Sequence, residues 1–226
     1  MLNIAIDGPS GSGKSSLARA VAKKLHIIYV DTGALYRTVG LYIKGRGIDP
    51  ADTDAVVAAL PDLSLTMTYE NDEQHIYLGG RDVGDLIRTP EISMYASKVS
   101  AIPAVRAFLL DTQRSIADKN SVIMDGRDIG TVILPNANVK IFLTASNEAR
   151  AHRRVAELLA KGIQTTYEEV LRDMTLRDEN DRTRAVAPAV PAEDAVFLDN
   201  SNLTAEETVT AVLRIIDEQT AEKDAK

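Results

Sequence analysis

Short runs of nearly uninterrupted aliphatic residues alternate along the chain with longer stretches in which apolar positions recur every three or four residues. The runs lie at Asn3 to Asp7, Ile27 to Val30, Ser121 to Asp125, Val139 to Leu143 and Val196 to Asp199. Continuous Ile, Val and Leu content, in place of strict alternation, is what strands need when helices cover both faces of a parallel sheet. Between them, Leu17, Ala18, Val21, Ala22 and Leu25 form one helical stripe. Val209, Val212, Leu213 and Ile216 form another, behind Thr204 and Glu207 at capping-box spacing. Strand and helix in alternation predict an α/β fold.

Two stretches break that rhythm. In residues 46–88, an acidic helical piece near Asp54 to Leu60 precedes Leu63, Leu65 and Met67, which alternate with polar residues. A polar turn from Glu70 to Gln74, the run His75-Ile76-Tyr77-Leu78 and a Gly79-Gly80 turn then predict a small antiparallel hairpin unit inserted in the parallel core. Residues 147–184 predict two charged helices around Gly162, the second opening at Thr165/Glu168 or Thr166/Glu169. Both stretches are candidate moving parts. The polar tail from Glu218 is expected to fray.

Composition narrows the class. At 226 residues and 45% hydrophobic, the chain can bury the core of one domain with inserted subdomains. The absence of cysteine excludes disulfides, thiolate metal sites and a cysteine nucleophile. No apolar run is long enough for a membrane span and the start MLNIAIDG lacks the pattern of a signal peptide, so a cytoplasmic location is expected. A net charge of −7 argues against a coat for nucleic acid, which needs a broad basic surface. A small anionic ligand needs only local charge, and Arg150, Arg153, Arg154, Arg172, Arg177, Arg182 and Arg184 crowd one stretch. Solvated helix faces would account for that crowding equally well.

Gly8-Pro9-Ser10-Gly11-Ser12-Gly13-Lys14-Ser15, with Ser16 behind it, matches the P-loop pattern in full, between a predicted strand and a predicted helix. Its glycines let successive backbone N–H groups turn inward as an anion nest at a helix N-terminus. Lys14 is then placed for the β- and γ-phosphates of a nucleoside triphosphate, and the Ser15 hydroxyl for Mg²⁺. Asp125-Gly126-Arg127-Asp128 ends a predicted strand, where carboxyl ends line the ligand crevice of such sheets. Asp125 could order the magnesium water shell, although Asp-Gly is also an ordinary turn. Asp31-Thr32-Gly33-Ala34-Leu35-Tyr36-Arg37 offers a hydroxyl, a ring and a guanidinium above a helix start, which suits a second phosphate; a plain cap with a surface arginine explains the same residues. Arg177, Asp181 and Arg184 fall at helical spacing on one face, which spacing alone reads as an exposed ion-pair ladder.

Taken in order, GPSGSGKS, DTGALYR, the hairpin insertion ending in Asp85-Leu86-Ile87-Arg88, DGRDIGT, KIFLTAS, AHRR and RDxxDRTRAVAP resemble bacterial cytidylate kinases over essentially the whole chain. The ordered set is specific, since unrelated P-loop proteins share only the first motif. The resemblance implies the three-layer P-loop fold with a five-stranded parallel sheet. It further implies a core of residues 1–45, 89–149 and 185–226, a monophosphate-binding insertion at 46–88 and an arginine-bearing helical lid at 150–184. It implies a monomeric cytoplasmic enzyme of pyrimidine metabolism that uses Mg²⁺ and transfers the γ-phosphoryl group of ATP to CMP or dCMP. Residue by residue, acceptor-phosphate roles carry over to Thr32, Arg37, Arg127 and Arg177. Cytosine recognition carries over to Ser97, Arg106 and Asp128, with Asp181 and Arg184 near sugar and base. Tyr36 and Arg88 belong to the same acceptor set, and Arg153 or Arg154 to the transferring group. Thr32 replaces a serine of some relatives by one methyl group and keeps the hydroxyl.

An aspartate or serine acceptor facing the exocyclic amine of cytosine, with an arginine facing its O2 and N3, would read that base and leave UMP with oxygen against carboxylate. Two rival readings remain on the residues alone. A shikimate or gluconate kinase shares the loop and an arginine lid but has no reason for the insertion at 46–88. A nucleotide-gated switch would bind without transfer, yet neither the guanine-reading Asn/Thr-Lys-x-Asp motif nor the Leu-Ser-Gly-Gly-Gln segment of transport ATPases is present.

Overall fold

The aliphatic runs are strands, displaced by a residue at some ends. A computed structural model describes residues 1–70 and 73–224. Asn71 and Asp72, in the predicted polar turn, lie outside the described residues. In chain order the elements are β1 (Asn3–Asp7), α1 (Lys14–Leu25), β2 (Ile28–Asp31), α2 (Thr32–Gly45), α3 (Thr53–Ala59), β3 (Leu65–Glu70), β4 (Glu73–Leu78) and β5 (Arg81–Asp82). They continue with α4 (Pro90–Val99), α5 (Pro103–Ala117), β6 (Val122–Gly126), β7 (Val139–Thr144), α6 (Asn147–Ala160), α7 (Tyr167–Thr183), β8 (Val196–Asp199) and α8 (Ala205–Asp224). The core is the expected five-stranded parallel sheet, in the order β2-β6-β1-β7-β8, and β3-β4-β5 form a separate three-stranded sheet.

By compactness the chain divides into one unit of Met1 and Ile28–Val122 and another of Leu2–Ile27 and Ile123–Lys226. In the second unit, β1 runs parallel to β7 with Ile4 opposite Val139 and Asp7 opposite Phe142, and β7 runs parallel to β8. Ile4, Ala5 and Ile6 are fully buried, as the aliphatic pattern requires. Burial of each large aliphatic side chain contributes roughly 1.5–3 kcal/mol. Thr166 and Glu169 decide between the two predicted starts of α7: the Glu169 N–H donates to Thr166 Oγ1 at 3.2 Å and the Thr166 N–H to Glu169 Oε2 at 3.0 Å. From Glu218 the chain continues as α8 as far as Asp224. Val209, Val212, Ile215 and Ile216 are buried, and a helix nucleated there extends at little cost.

In the first unit, Leu35, Val39 and Ile43 of α2 share one core with Ile92, Ala96 and Val99 of α4. Gly40 permits this approach, since a Cβ there would stand 3.0 Å from the Ala96 nitrogen and from Tyr95 Cβ. Residues 46–88 contain the predicted hairpin, with β3 antiparallel to β4 from Leu65 opposite Leu78 to Glu70 opposite Glu73. They also contain β5, short enough to have escaped the pattern, which follows Gly79 and Gly80 at φ 57° and 80°. Two successive positive φ values are what a tight hairpin turn demands, and glycine meets them without strain.

Candidate active site

The P-loop joins the carboxyl end of β1 to the start of α1. Gly8 is obligatory: a Cβ there would lie 2.0 Å from the Leu143 carbonyl oxygen of β7. Lys14 is buried at 5% exposure, and its ammonium donates to the Pro9 carbonyl at 2.7 Å and toward Ser12 Oγ at 3.4 Å. Burial first, and then the Arg127 guanidinium, holds its pKa well below the ordinary lysine value. Ser15 Oγ donates to Asp125 Oδ2 at 2.8 Å, and Asp125 is itself buried near the end of β6. One hydroxyl and one carboxylate suit Mg²⁺, which takes few protein ligands and completes its shell with water and substrate phosphate. Among the described residues no three acidic or histidine side chains gather as a metal cage.

Helices α6 and α7 reach this loop through Arg150, Met174 and Asp178. Asp178 Oδ1 accepts the Ser10 N–H at 2.9 Å. Arg150, 4% exposed, donates to the Ser10 carbonyl at 2.6 Å and pairs with Asp178 Oδ2. A Cβ on Gly11 would stand 2.8 Å from Met174 Cε of α7. Arg153 donates to Asn200 Oδ1 at 3.0 Å and to its carbonyl at 2.6 Å, while Asn200 Nδ2 donates to the Ser12 carbonyl at 3.0 Å. Arg154 instead pairs with Glu157 one turn away on the surface. The arginine-rich stretch was the available signal, but spacing cannot separate buried Arg150 from half-buried Arg154, and nothing marked Asp178 or Asn200.

Arg127 Nε donates to Asp181 Oδ2 at 3.0 Å, and Arg177 Nε stands 4.0 Å from the same oxygen. Asp181 of α7 is therefore buried with two guanidiniums at one of its oxygens, Arg127 from the turn after β6 and Arg177 from its own helix. The expected common helix face holds for Arg177 and Asp181 but not for Arg184. Helix α7 ends at Thr183, and Arg184 leaves it with extended backbone at φ −60° and ψ 142°. Its Nε donates to the Ala187 carbonyl at 2.6 Å and another guanidinium nitrogen stands 3.5 Å from Asp128 Oδ1, which ties it to the DGRD turn instead.

In the other unit, Asp31 caps α2 by accepting the Ala34 N–H at 2.9 Å and pairs with Arg37 at 2.8 Å. Its own N–H donates to Gln74 Oε1 of β4 at 2.7 Å, so the hairpin sheet braces the DTGALYR turn. Thr32 is buried at the first position of α2. Arg106 is buried, donates to the Ser100 carbonyl at 3.2 Å and lies 5.5 Å from the centre of the Tyr36 ring. Ser97 is half-buried on α4, and Arg88 is exposed just before the Thr89 cap of that helix.

The family model for cytidylate kinase matches residues 4–218. The chain belongs to the cytidylate kinase family. The cytidylate kinase of Fervidobacterium nodosum is 49% identical over 96% of this chain and 96% of its own length. That of Carboxydothermus hydrogenoformans is 48% identical over 95% and 97%. A solved, uncharacterized protein from Eubacterium ventriosum shares the fold at a TM-score of 0.51, with 12% identity over 96% of this chain and 99% of its own. Membership makes the protein a kinase, a phosphotransferase with nucleotide substrates. Among the described residues no helix is long and apolar enough to cross a membrane.

Proposed function

We propose that the chain transfers the γ-phosphoryl group of ATP to CMP or dCMP, giving ADP and CDP or dCDP. The observation that carries this reading is the buried, charge-depressed Lys14 beside the Ser15–Asp125 pair in a complete P-loop, on a chain whose relatives at nearly full length are cytidylate kinases. An anion brought to Lys14 restores the charged ammonium that burial disfavours, so triphosphate binding and lysine protonation reinforce one another. Gly8, Pro9, Ser10, Gly11, Ser12 and Gly13 supply the loop, and Ser15 with Ser16 opens α1 beneath the phosphates. Ser15 and, through water, Asp125 would hold Mg²⁺, which neutralises charge on the β- and γ-oxygens when bound.

The attacking group is the phosphate oxygen of the acceptor, already an anion, so no strong general base is assigned. Catalysis rests on position and charge. Thr32, Arg37, Arg127 and Arg177 are assigned to the acceptor phosphate, with Arg153 on the lid. Tyr36, Arg88, Ser97, Arg106, Asp128, Asp181 and Arg184 are assigned to its sugar and base. The Asp31–Arg37 pair and the Arg127–Asp181–Arg177 group support this, because each guanidinium is pre-oriented by a carboxylate that a phosphate can exchange with. Residues 46–88 act as the monophosphate-binding insertion and 150–184 as a lid that excludes water at transfer. Incubation with Mg-ATP and CMP should yield ADP and CDP in equal amounts, with little ADP in a blank lacking CMP. ADP without CDP would refute the transfer.

A further inference from the structure

Asp7 is the last residue of β1, directly before the P-loop, and is 4% exposed. None of the roles assigned above uses it. Its two carboxylate oxygens each accept a backbone N–H: Oδ1 from Ile129 at 2.8 Å and Oδ2 from Gly130 at 2.7 Å. Those amides follow Asp128 immediately. There the chain leaves β6 through a residue at φ −146° and ψ 29° and enters a single π-helical turn, Ile129–Ile133. Within that turn the Asp128 carbonyl accepts the Val132 N–H at 2.9 Å, and the Ile129 carbonyl accepts the Leu134 N–H at 2.7 Å. Gly130 fits tightly, since a Cβ there would stand 3.2 Å from Lys140 Cδ and 3.3 Å from Asp7 Oδ2.

We propose that Asp7 is a positioning residue for acceptor binding: by holding the Ile129 and Gly130 amides it fixes the direction of the Arg127–Asp128 turn and couples that turn to the P-loop. The inference rests on the acceptor reading of Arg127 and Asp128 given above. Burial pushes the Asp7 pKa up to about 6 in spite of both amide bonds, so the ionised clamp is kept at a cost in desolvation. The charged groups that face it are Asp128, which opposes its ionisation, and Lys14, which favours it. From β7, the aliphatic stem of Lys140 closes over Gly130 while its ammonium is held by Asp194 at 2.8 Å. Ionised, Asp7 satisfies both amides. Protonated, its hydroxyl faces one of them and the clamp is halved.

The test is steady-state kinetics of the full chain and of Asp7→Asn, a permanent copy of the protonated clamp. The expected result is a KM for CMP raised about tenfold, the loss of one charge-assisted hydrogen bond, with the KM for ATP unchanged. The difference should shrink as pH falls through about 6, where wild-type Asp7 takes up its proton. Comparing the two proteins isolates this effect from titration of the CMP phosphate, which has its own pKa near 6. Gly130→Ala, whose Cβ would crowd Asp7 Oδ2 at 3.3 Å, should raise the KM for CMP in the same selective way and decides the matter if Asp7→Asn does not fold. Unchanged KM for CMP, or equal changes for both substrates at every pH, would overturn the inference alone. A wild-type chain without CMP-dependent ADP release would overturn the acceptor reading and this inference with it.

Discussion

The P-loop and helix α7 both carry cations, yet they keep them in opposite ways. Lys14 is buried against the loop's own oxygens, with its charge disfavoured by its surroundings. Arg172 and Arg182 of α7 stand 73% and 62% exposed at the side chain and meet only acids on their own helix. Between these extremes, Arg177 faces inward toward Asp181, as does Arg127 of the DGRD turn. A cation whose desolvation is not fully offset by protein partners is poised for an anionic ligand. A solvated ion-pair ladder has no such bias, and each of its pairs is worth little. On that difference rests the proposal that Lys14, Arg127 and Arg177 meet ligand while Arg172 and Arg182 belong to the surface.

Lys14→Ala should lower kcat by about 10²–10³, the cost of one preorganised charge at the transferring group, while the thermal transition moves little. Loss of activity through unfolding alone would place Lys14 with structural residues. Asp178→Ala strips the buried Arg150 of its carboxylate and the Ser10 amide of its acceptor. Urea denaturation should show a loss of about 3 kcal/mol, because a buried charge is left uncompensated.

The pH dependence of stability supplies a smaller effect with a definite sign. Asp7 has a native pKa of about 6 against 3.8 in the unfolded chain, so the native state binds the extra proton. Its favourable contribution is complete below pH 3.8 and is lost as pH rises through 6. Measured against Asp7→Asn, wild-type stability should therefore gain about 2–3 kcal/mol between pH 7 and pH 4. A difference independent of pH would contradict the buried, clamped carboxyl. The smallest effect belongs to Arg182→Ala, for which stability within about 0.5 kcal/mol of wild type and unaltered kcat are expected.

Much of the frame was legible because the determinants are local. An apolar run such as Val122-Ile123-Met124, buried throughout, suits a strand covered on both faces, and the full P-loop pattern dictates its own strand, turn and helix. Strand β5 was missed because two residues after a Gly-Gly turn carry no period. Arg184 was misplaced because helical spacing continues past Thr183 in the sequence, while the chain turns away to satisfy Ala187 and Asp128. Asp7, Asp178 and Asn200 escaped for another reason. Each acts on backbone groups distant in sequence, from Asp7 to Gly130 and from Asp178 to Ser10, and only the fold brings such partners together.

The central claim is that this cytidylate kinase family member phosphorylates cytosine monophosphates and reads the base by paired polar groups. It is tested most directly by ADP release from Mg-ATP with CMP, dCMP, UMP, AMP or shikimate at one concentration, against a blank without acceptor. The account predicts release mainly with CMP and dCMP, and much less with UMP, whose carbonyl would oppose Asp128. Equal turnover of CMP and UMP would contradict the base reading, and release with shikimate or AMP in place of CMP would contradict the acceptor assignment as a whole.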